Sequence, residues 1–478
     1  MNILKQKAIK GILWNVADRF SQQSIRFVIL IILARLLLPK DFGLIGMITV
    51  FFAFAQVFID SGFGIAYIQK KEVTDDDANT VFYTNLFISI ILYGILWLAA
   101  PAISQFYDQP QLIDLTRVMG LVVVINAFNV IQMAQLIRAV NFKRKTKVTL
   151  MATLISGTSG VTAAYCGLGV WSLVIQNMMN HFLITSGLWF TSKWKPAWKF
   201  SKESFKTMFS FGSWILFASI IRRIFDNIYI LSIGKFFSAS QLGFYTNAKQ
   251  FQMLSSVQFS EAVGVVAFPM FSQLQVDKVK LQQVMRKFLQ HSLIFIAPLM
   301  LTLIVVAKPF IILLLTEKWA PMIPYLQLLC IIGVLYPLHA INVQVLIAQG
   351  KSNLNFKLSM LKNALRIINI IIMYRFGVIF IILGEIIVSL LALFVNTFYT
   401  HKLLNYGLIK QWNDINKIVL SAIISGIINY IVIMNLNNLW FMFLVGGTGT
   451  LSIFIITQYF FNKTLFMEIL SLKSIFMK

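Results

Sequence analysis

Apolar runs of twenty or more residues alternate along this chain with short, mostly basic breaks. A membrane-crossing helix needs about 20 largely apolar residues. On that basis the pattern predicts fourteen helices, over 11–38, 42–68, 80–101, 112–137, 146–166, 170–191, 207–234, 241–271, 288–308, 322–348, 356–374, 378–400, 416–435 and 438–461. Several exceed the thickness of a bilayer, so tilted or broken helices are expected. The expected fold class is all-α integral membrane.

The breaks carry the orientation. With the N-terminus inside, the cytoplasmic segments hold 27 Lys and Arg, while the outer loops keep only Lys40, Lys235, Lys308, Lys318 and Arg375. Positive residues accumulate on the cytoplasmic side, and one missed helix would invert every later loop. Both termini are therefore expected in the cytoplasm. The start has a basic head but no small-residue cleavage site, and reads as an uncleaved first helix rather than a signal peptide.

A second pattern lies over the first. At an offset of 200, Trp14 matches Trp214, Arg35 Lys235, Gly43 Gly243, Phe51 Phe251, Val57 Val257 and Gly64 Gly264. Later the offset becomes 208, where Pro101 meets Pro309 and Gly169-Val170 meets Gly377-Val378. The identities are sparse, but the register of spans and loops repeats with them. Six helices per copy is an even number, so both copies point the same way, a known transporter plan. The expected domains are an N-terminal six-helix bundle over 1–192, a pseudo-symmetric C-terminal bundle over 193–402, and an added helix pair with its tail over 403–478.

Nine basic residues interrupt the apolar runs: Arg19, Arg26, Arg35, Arg117, Arg222, Arg223, Lys249, Lys362 and Arg366. The acids there are five: Asp18, Asp60, Asp226, Glu261 and Glu385. A charge at the centre of a membrane helix costs roughly 2.5–3.5 kcal/mol or more, so each should face protein or a watery cavity. The spacing agrees. Asn15, Asp18 or Arg19, Gln22 and Arg26 share one helical face, as do Ser219, Arg222 or Arg223 and Asp226. Further stripes are Thr49, Gln56 and Asp60; Lys249, Ser256 and Glu261; and Lys362 or Asn363, Arg366 and Asn369.

The basic excess points to an anionic cargo. Candidate cargo-binding residues are Arg19, Arg26, Arg222, Arg223, Lys249, Lys362 and Arg366, with Arg222, Arg223, Lys362 and Arg366 showing the fewest evident acidic partners. Asp60, Asp226 and Glu261 are candidates for ion coupling. Arg26 with Asp226, Asp18 with Arg19, and Lys249 with Glu261 are equally open to reading as internal ion pairs. Arg35 and Arg117 lie near outer ends and are expected to snorkel. His181 and His339 read as packed residues, and Gly446-Gly447-Thr448-Gly449 as close helix packing.

Composition narrows the rest. The chain has 478 residues, 58% hydrophobic and 12% charged, with a net charge of +24. The basic residues are dispersed, so no nucleic-acid face is indicated. Two cysteines, Cys166 and Cys330, give neither a disulfide framework nor a zinc site. There is no phosphate-loop motif, no H-E-x-x-H and no large outer loop, so no catalytic residue, metal or cofactor is expected.

The segment Leu33 to Met47, LARLLLPKDFGLIGM, follows Lys10-Gly11 and Trp14 and precedes Asp60-Ser61-Gly62-Phe63. It resembles the opening of Wzx-type O-antigen and capsule-repeat flippases of the multidrug/oligosaccharidyl-lipid/polysaccharide superfamily. Asn141-Phe142-Lys143, Leu315 to Leu329 and Gly350-Lys351 are similar too, although the LTEKW stretch departs from the usual glycine-bearing form. The resemblance covers essentially the whole chain. It implies two six-helix bundles forming a cleft, a two-helix extension, and a location in the bacterial cytoplasmic (inner) membrane. It implies undecaprenyl-diphosphate-linked oligosaccharide as cargo, flipped from the cytoplasmic to the periplasmic leaflet, with polysaccharide polymerase and chain-length machinery as candidate partners. The rivals are a lipid II flippase, a multidrug/cation antiporter of the same superfamily, and a membrane polysaccharide polymerase.

Overall fold

The computed structural model describes residues 2–59, 63–463 and 465–467, and among them it is helical throughout, with no strand. Among the described residues eight helices are long and apolar enough to cross a membrane, or nine when one bent pair is taken as a single span. The chain is a multi-pass membrane protein. Many large apolar side chains point outward, among them Phe394, Phe398, Leu444 and Ile455. In lipid that is the expected arrangement, because the solvent is hydrocarbon and only the backbone must be satisfied internally.

Packing divides the chain into two units, Met1–Gly243 and Phe244–Lys478. The first contains α1 (Asn2–Leu36), α2 (Pro39–Ile59), the short α3 (Ile65–Gln69), α4 (Asp75–Tyr107), α5 (Leu112–Ala127), α6 (Val130–Arg138), α7 (Phe142–Tyr165), α8 (Val170–Thr191), α9 (Lys202–Asp226) and α10 (Ile228–Phe236). In it α7 packs on α8 and α1, α4 on α5, and α5 on α8. The division falls inside α11 (Ala239–Gln273). The second unit continues with α12 (Lys278–Val305), α13 (Ala307–Leu315), α14 (Ile323–Ala348), α15 (Ser352–Met373), α16 (Val378–Leu404), α17 (Leu408–Met434) and α18 (Leu439–Phe461). There α14 packs on α16 and α12, and α15 on α16, while α17 and α18 pack on each other and on α12.

Local chemistry sets several helix ends. Thr74 and Asp77 form a reciprocal capping box at the start of α4, whose first turn holds Asp75, Asp76 and Asp77 where the helix dipole favours negative charge. Asn141 and Ser201 cap α7 and α9 through their side-chain oxygens. The fourth predicted range is broken: α5 and α6 meet at a bend of 43° around Phe128 and Asn129. Pro337, 208 residues after Asn129, lies within α14, which stays continuous.

Two of the glycines matched at the 200-residue offset lie in a close helix contact within the first unit. Gly43 lies against the carbonyl of Ala239, and Gly243 against the carbonyl of Pro39. Pro39 and Ala239 are themselves 200 apart, so equivalent residues meet about a local two-fold. Neither glycine has room for a Cβ, because the obstructing atoms are backbone. Small residues permit this close approach between helices.

Two outcomes follow. Gly43→Ala or Gly243→Ala should each destabilise the protein by about 1–3 kcal/mol through overpacking, read as a lower thermal midpoint in detergent; Gly447→Ala, which meets open space, should not. Cys166 is exposed between α7 and α8, whereas Cys330 is buried. If the charge bias sets the orientation, a membrane-impermeant maleimide applied to intact cells labels Cys166 and spares Cys330. Labelling of Cys166 only after permeabilisation would reverse the topology.

Candidate functional site: polar interiors of the two units

In the first unit the predicted stripe of α1 becomes a connected network. Asp18 is buried, 3% exposed. Its Oδ1 accepts from Gln22 Nε2 at 2.6 Å and from the Thr149 hydroxyl at 3.0 Å, and its Oδ2 lies 3.7 Å from Lys145 Nζ. Gln22 Oε1 accepts from Arg26 at 3.4 Å, whose charge is near enough to interact with Asp18 and with His181. Two cations thus surround one carboxylate. Lys145 sits in a segment whose charges the sequence assigns only to orientation; here it enters the interior. The α7 spacing Thr149, Thr153, Ser156 was the available signal, an unbroken polar face on a helix otherwise read as plain span.

Amides continue the network. His181 Nδ1 donates to Asn126 Oδ1 at 2.8 Å, and Asn126 Nδ2 donates to Gln56 Oε1 at 2.9 Å. Asn129 Nδ2 donates to Thr185, whose hydroxyl donates to the Ile125 carbonyl. These bonds tie α5 to α8 beside the α5–α6 break and occupy backbone groups that the break frees.

The second unit repeats the idea with the partners exchanged. His339 on α14 accepts at Nδ1 from Asn396 Nδ2, 3.2 Å, and its Nε2 lies 2.9 Å from the Ser389 hydroxyl. In one unit the fourth predicted span offers the Asn and the sixth the His; in the other the tenth offers the His and the twelfth the Asn. Lys362 and Arg366 on α15 are half-buried and their charges reach His339. Arg366 Nη1 donates to Asn363 at 3.5 Å, and Asn369 Nδ2 to the Ile381 carbonyl. Asn342, Thr400 and Gln411 complete a buried amide and hydroxyl cluster. The two histidines, expected merely to be packed, each bind a polar partner.

The remaining candidates divide as follows. Arg222 Nε lies 3.6 Å from Asp226 Oδ2 one turn along α9, so this arginine does have an acidic neighbour, contrary to the expectation. Both are exposed, and such i,i+4 pairs contribute only about 0.3–0.5 kcal/mol in water. Arg223 is exposed beside it. Lys249 Nζ lies 3.4 Å from the Tyr245 hydroxyl and over its ring. Lys249 cannot pair with Glu261: both sit on the continuous α11, where twelve residues rise about 18 Å. Arg117 lies over the Trp97 ring at 4.8 Å, a cation–π contact instead of free snorkelling. Asp60 and the side chain of Arg19 lie outside the described residues. Gly446 and Gly449 pack on Val306 and on Asn429, whose Nδ2 donates to the Gly446 carbonyl. Among the described residues no cluster of His, Cys, Asp and Glu is suited to a metal.

Comparison with known proteins adds kinship. Residues 32–324 match the model of the family described as polysaccharide biosynthesis protein. The chain belongs to that family. It is 27% identical to the lipopolysaccharide biosynthesis protein WzxC of Escherichia coli over 81% of this chain and 80% of that one. It is also 27% identical to the teichuronic acid biosynthesis protein TuaB of Bacillus subtilis, over 63% of each chain, and 25% identical to the succinoglycan biosynthesis transport protein ExoT of Rhizobium meliloti, over 68% of this chain and 66% of that one. The matches to TuaB and ExoT thus span just under two thirds of those relatives. The fold is similar to that of the lipid II flippase MurJ in an inward closed conformation, with a TM-score of 0.77 at 16% identity, covering 95% of this chain and 99% of that one. An inward-facing multidrug resistance MATE family transporter of the MOP superfamily is similar with a TM-score of 0.61 at 14% identity, covering 80% and 95%. At these identities the likeness is one of fold.

The buried carboxylate makes a sharp test. Asp18→Ala leaves Lys145 without its counter-charge and removes one acceptor from Thr149 and Gln22, and should cost roughly 3 kcal/mol, as removal of one member of a buried pair does. The double change Asp18→Leu/Lys145→Met should recover most of that loss in thermal unfolding.

Proposed function

We propose that this family member is a flippase for polyprenyl-diphosphate-linked oligosaccharide repeat units, moving them from the cytoplasmic to the outer leaflet of a bacterial cytoplasmic membrane. The observation that carries this reading is the polar network of the first unit, where the half-buried Lys145 and the exposed Arg26 flank the buried Asp18 amid amides and hydroxyls. A diphosphate crossing hydrocarbon loses hydration worth many kcal/mol, and cationic donors replace it with charge-assisted hydrogen bonds. Asn, Gln, Thr and Ser side chains suit sugar hydroxyls. Lys362 and Arg366 beside His339 give the second unit the same chemistry.

We read the topology as fourteen spans with both termini cytoplasmic; in support, the described residues of each predicted range fall on a helix or an adjoining helix pair. The α1, α7 and α15 helices, less apolar than the eight clear spans, carry polar stripes, and lower hydropathy suits cavity-lining helices. The repeats over 1–192 and 193–402 are then the moving parts of alternating access, with 403–478 as an added pair. Asp60, Asp226 and Glu261 stay the candidates for ion coupling. A multidrug/cation antiporter calls for an interior rich in acids, and a polymerase for a large outer loop with convergent polar groups. A lipid II flippase shares the diphosphate chemistry and is separated by the sugar transported.

The test is translocation of a fluorescent polyprenyl-diphosphate oligosaccharide in liposomes. Arg26→Ala, Arg222→Ala/Arg223→Ala and Arg366→Ala should each slow it about tenfold, the equivalent of about 1.4 kcal/mol. Wild-type rates in all three would remove the cations from the cargo path.

A further inference from the structure

The first unit has a cavity of about 480 Å³ that the cationic network does not use. It lies where α6 ends, α7 begins and α8 gives way to the linker before α9, and its lining includes Gln132, Gln135, Asn141, Arg144, Lys193 and Asp75. Gln132 is the informative residue. It is only 2% exposed, yet among the described residues neither its Nε2 nor its Oε1 has a hydrogen-bonding partner. Buried amides are nearly always paired, and one left open at both ends is costly. A glutamine at this position is accounted for by a ligand that both accepts and donates.

A second cavity, about 570 Å³, lies on the preceding turns of α8. Phe182, Trp189 and Phe190 line it with Ile125 and Phe128 from the α5–α6 break. Phe190 is 91% exposed and Phe182 55%. From Ser186 to Lys193 the helix axis and its continuation advance about 10 Å, close to the distance from a lipid phosphate to its upper acyl chain. The polar cavity is cationic on balance: Arg144 and Lys193 face the single acid Asp75, and Lys143, Lys147 and Lys195 lie in the same two segments.

We infer that the two cavities form a binding site for one anionic phospholipid with a hydroxyl-bearing headgroup, of the phosphatidylglycerol type. Arg144 and Lys193 hold the phosphate. Gln132 donates to a phosphate oxygen and accepts from a glycerol hydroxyl, and an acyl chain lies along Phe182, Trp189 and Phe190. The charge bias puts this end of the unit at the cytoplasmic leaflet. The site is independent of the cargo assignment, since Gln132, Arg144 and Lys193, which would hold the headgroup, make no bond to Asp18, Gln22, Arg26 or Lys145.

The experiment measures thermal unfolding and native mass spectra of the full-length protein in neutral detergent with phosphatidylglycerol, phosphatidylcholine or inorganic phosphate added. Phosphatidylglycerol should stay bound and raise the midpoint, whereas the other two should not. Arg144→Ala/Lys193→Ala should weaken phosphatidylglycerol about tenfold. Gln132→Leu should weaken it too while raising the lipid-free midpoint, because the unpaired amide is gone. Equal stabilisation by phosphatidylcholine, or by phosphate alone, would overturn the assignment, as would wild-type lipid affinity in both variants.

Discussion

A guanidinium or carboxylate carried into a bilayer must be solvated by protein or by trapped water, since hydrocarbon offers neither dipole nor counter-charge. That requirement governs how these helices are rotated. In the first unit it turns α1 so that Asp18 meets Lys145 and Thr149 on α7 while Gln22 passes the contact on to Arg26. Once α1 and α7 are fixed in this way, the outward faces are free to be Phe, Ile and Leu, and the protein has a lipid side and a wet side.

The same constraint explains the recurring amides. A neutral Asn or Gln can satisfy a charge or a histidine without cancelling the positive potential, which a carboxylate would do. Asn126 with His181 and Asn396 with His339 brace corresponding helix pairs in the two units with their roles exchanged. Such braces hold two helices at a defined spacing without adding negative charge beside the cations.

Much of this was legible in the chain. Apolar runs located the helices, and the 200-residue offset paired Gly43 with Gly243, which lie against the carbonyls of Ala239 and Pro39. The α1 face of Asp18, Gln22 and Arg26 followed from spacing alone. Partnerships between helices did not, because periodicity fixes which residues share a face but not which face meets which. Lys145 looked like an orientation charge, Asp226 like a partner for Arg26, and Glu261 like one for Lys249. The first needed the packing of α7 on α1; the second lost to a neighbour one turn away; the third fails on helix length. Gln132 gave no sequence signal, since its meaning depends on burial without a partner.

The account's central claim is that the interior cations recognise the phosphates of the cargo. Binding of a charge series to purified wild-type protein tests it most directly: a prenyl diphosphate sugar, the monophosphate, and a neutral prenyl glycoside with the same chain and sugar. The account predicts affinity falling by about tenfold or more at each step, with the diphosphate the most weakened by added salt. Equal affinity across the three, unchanged by salt, would contradict it.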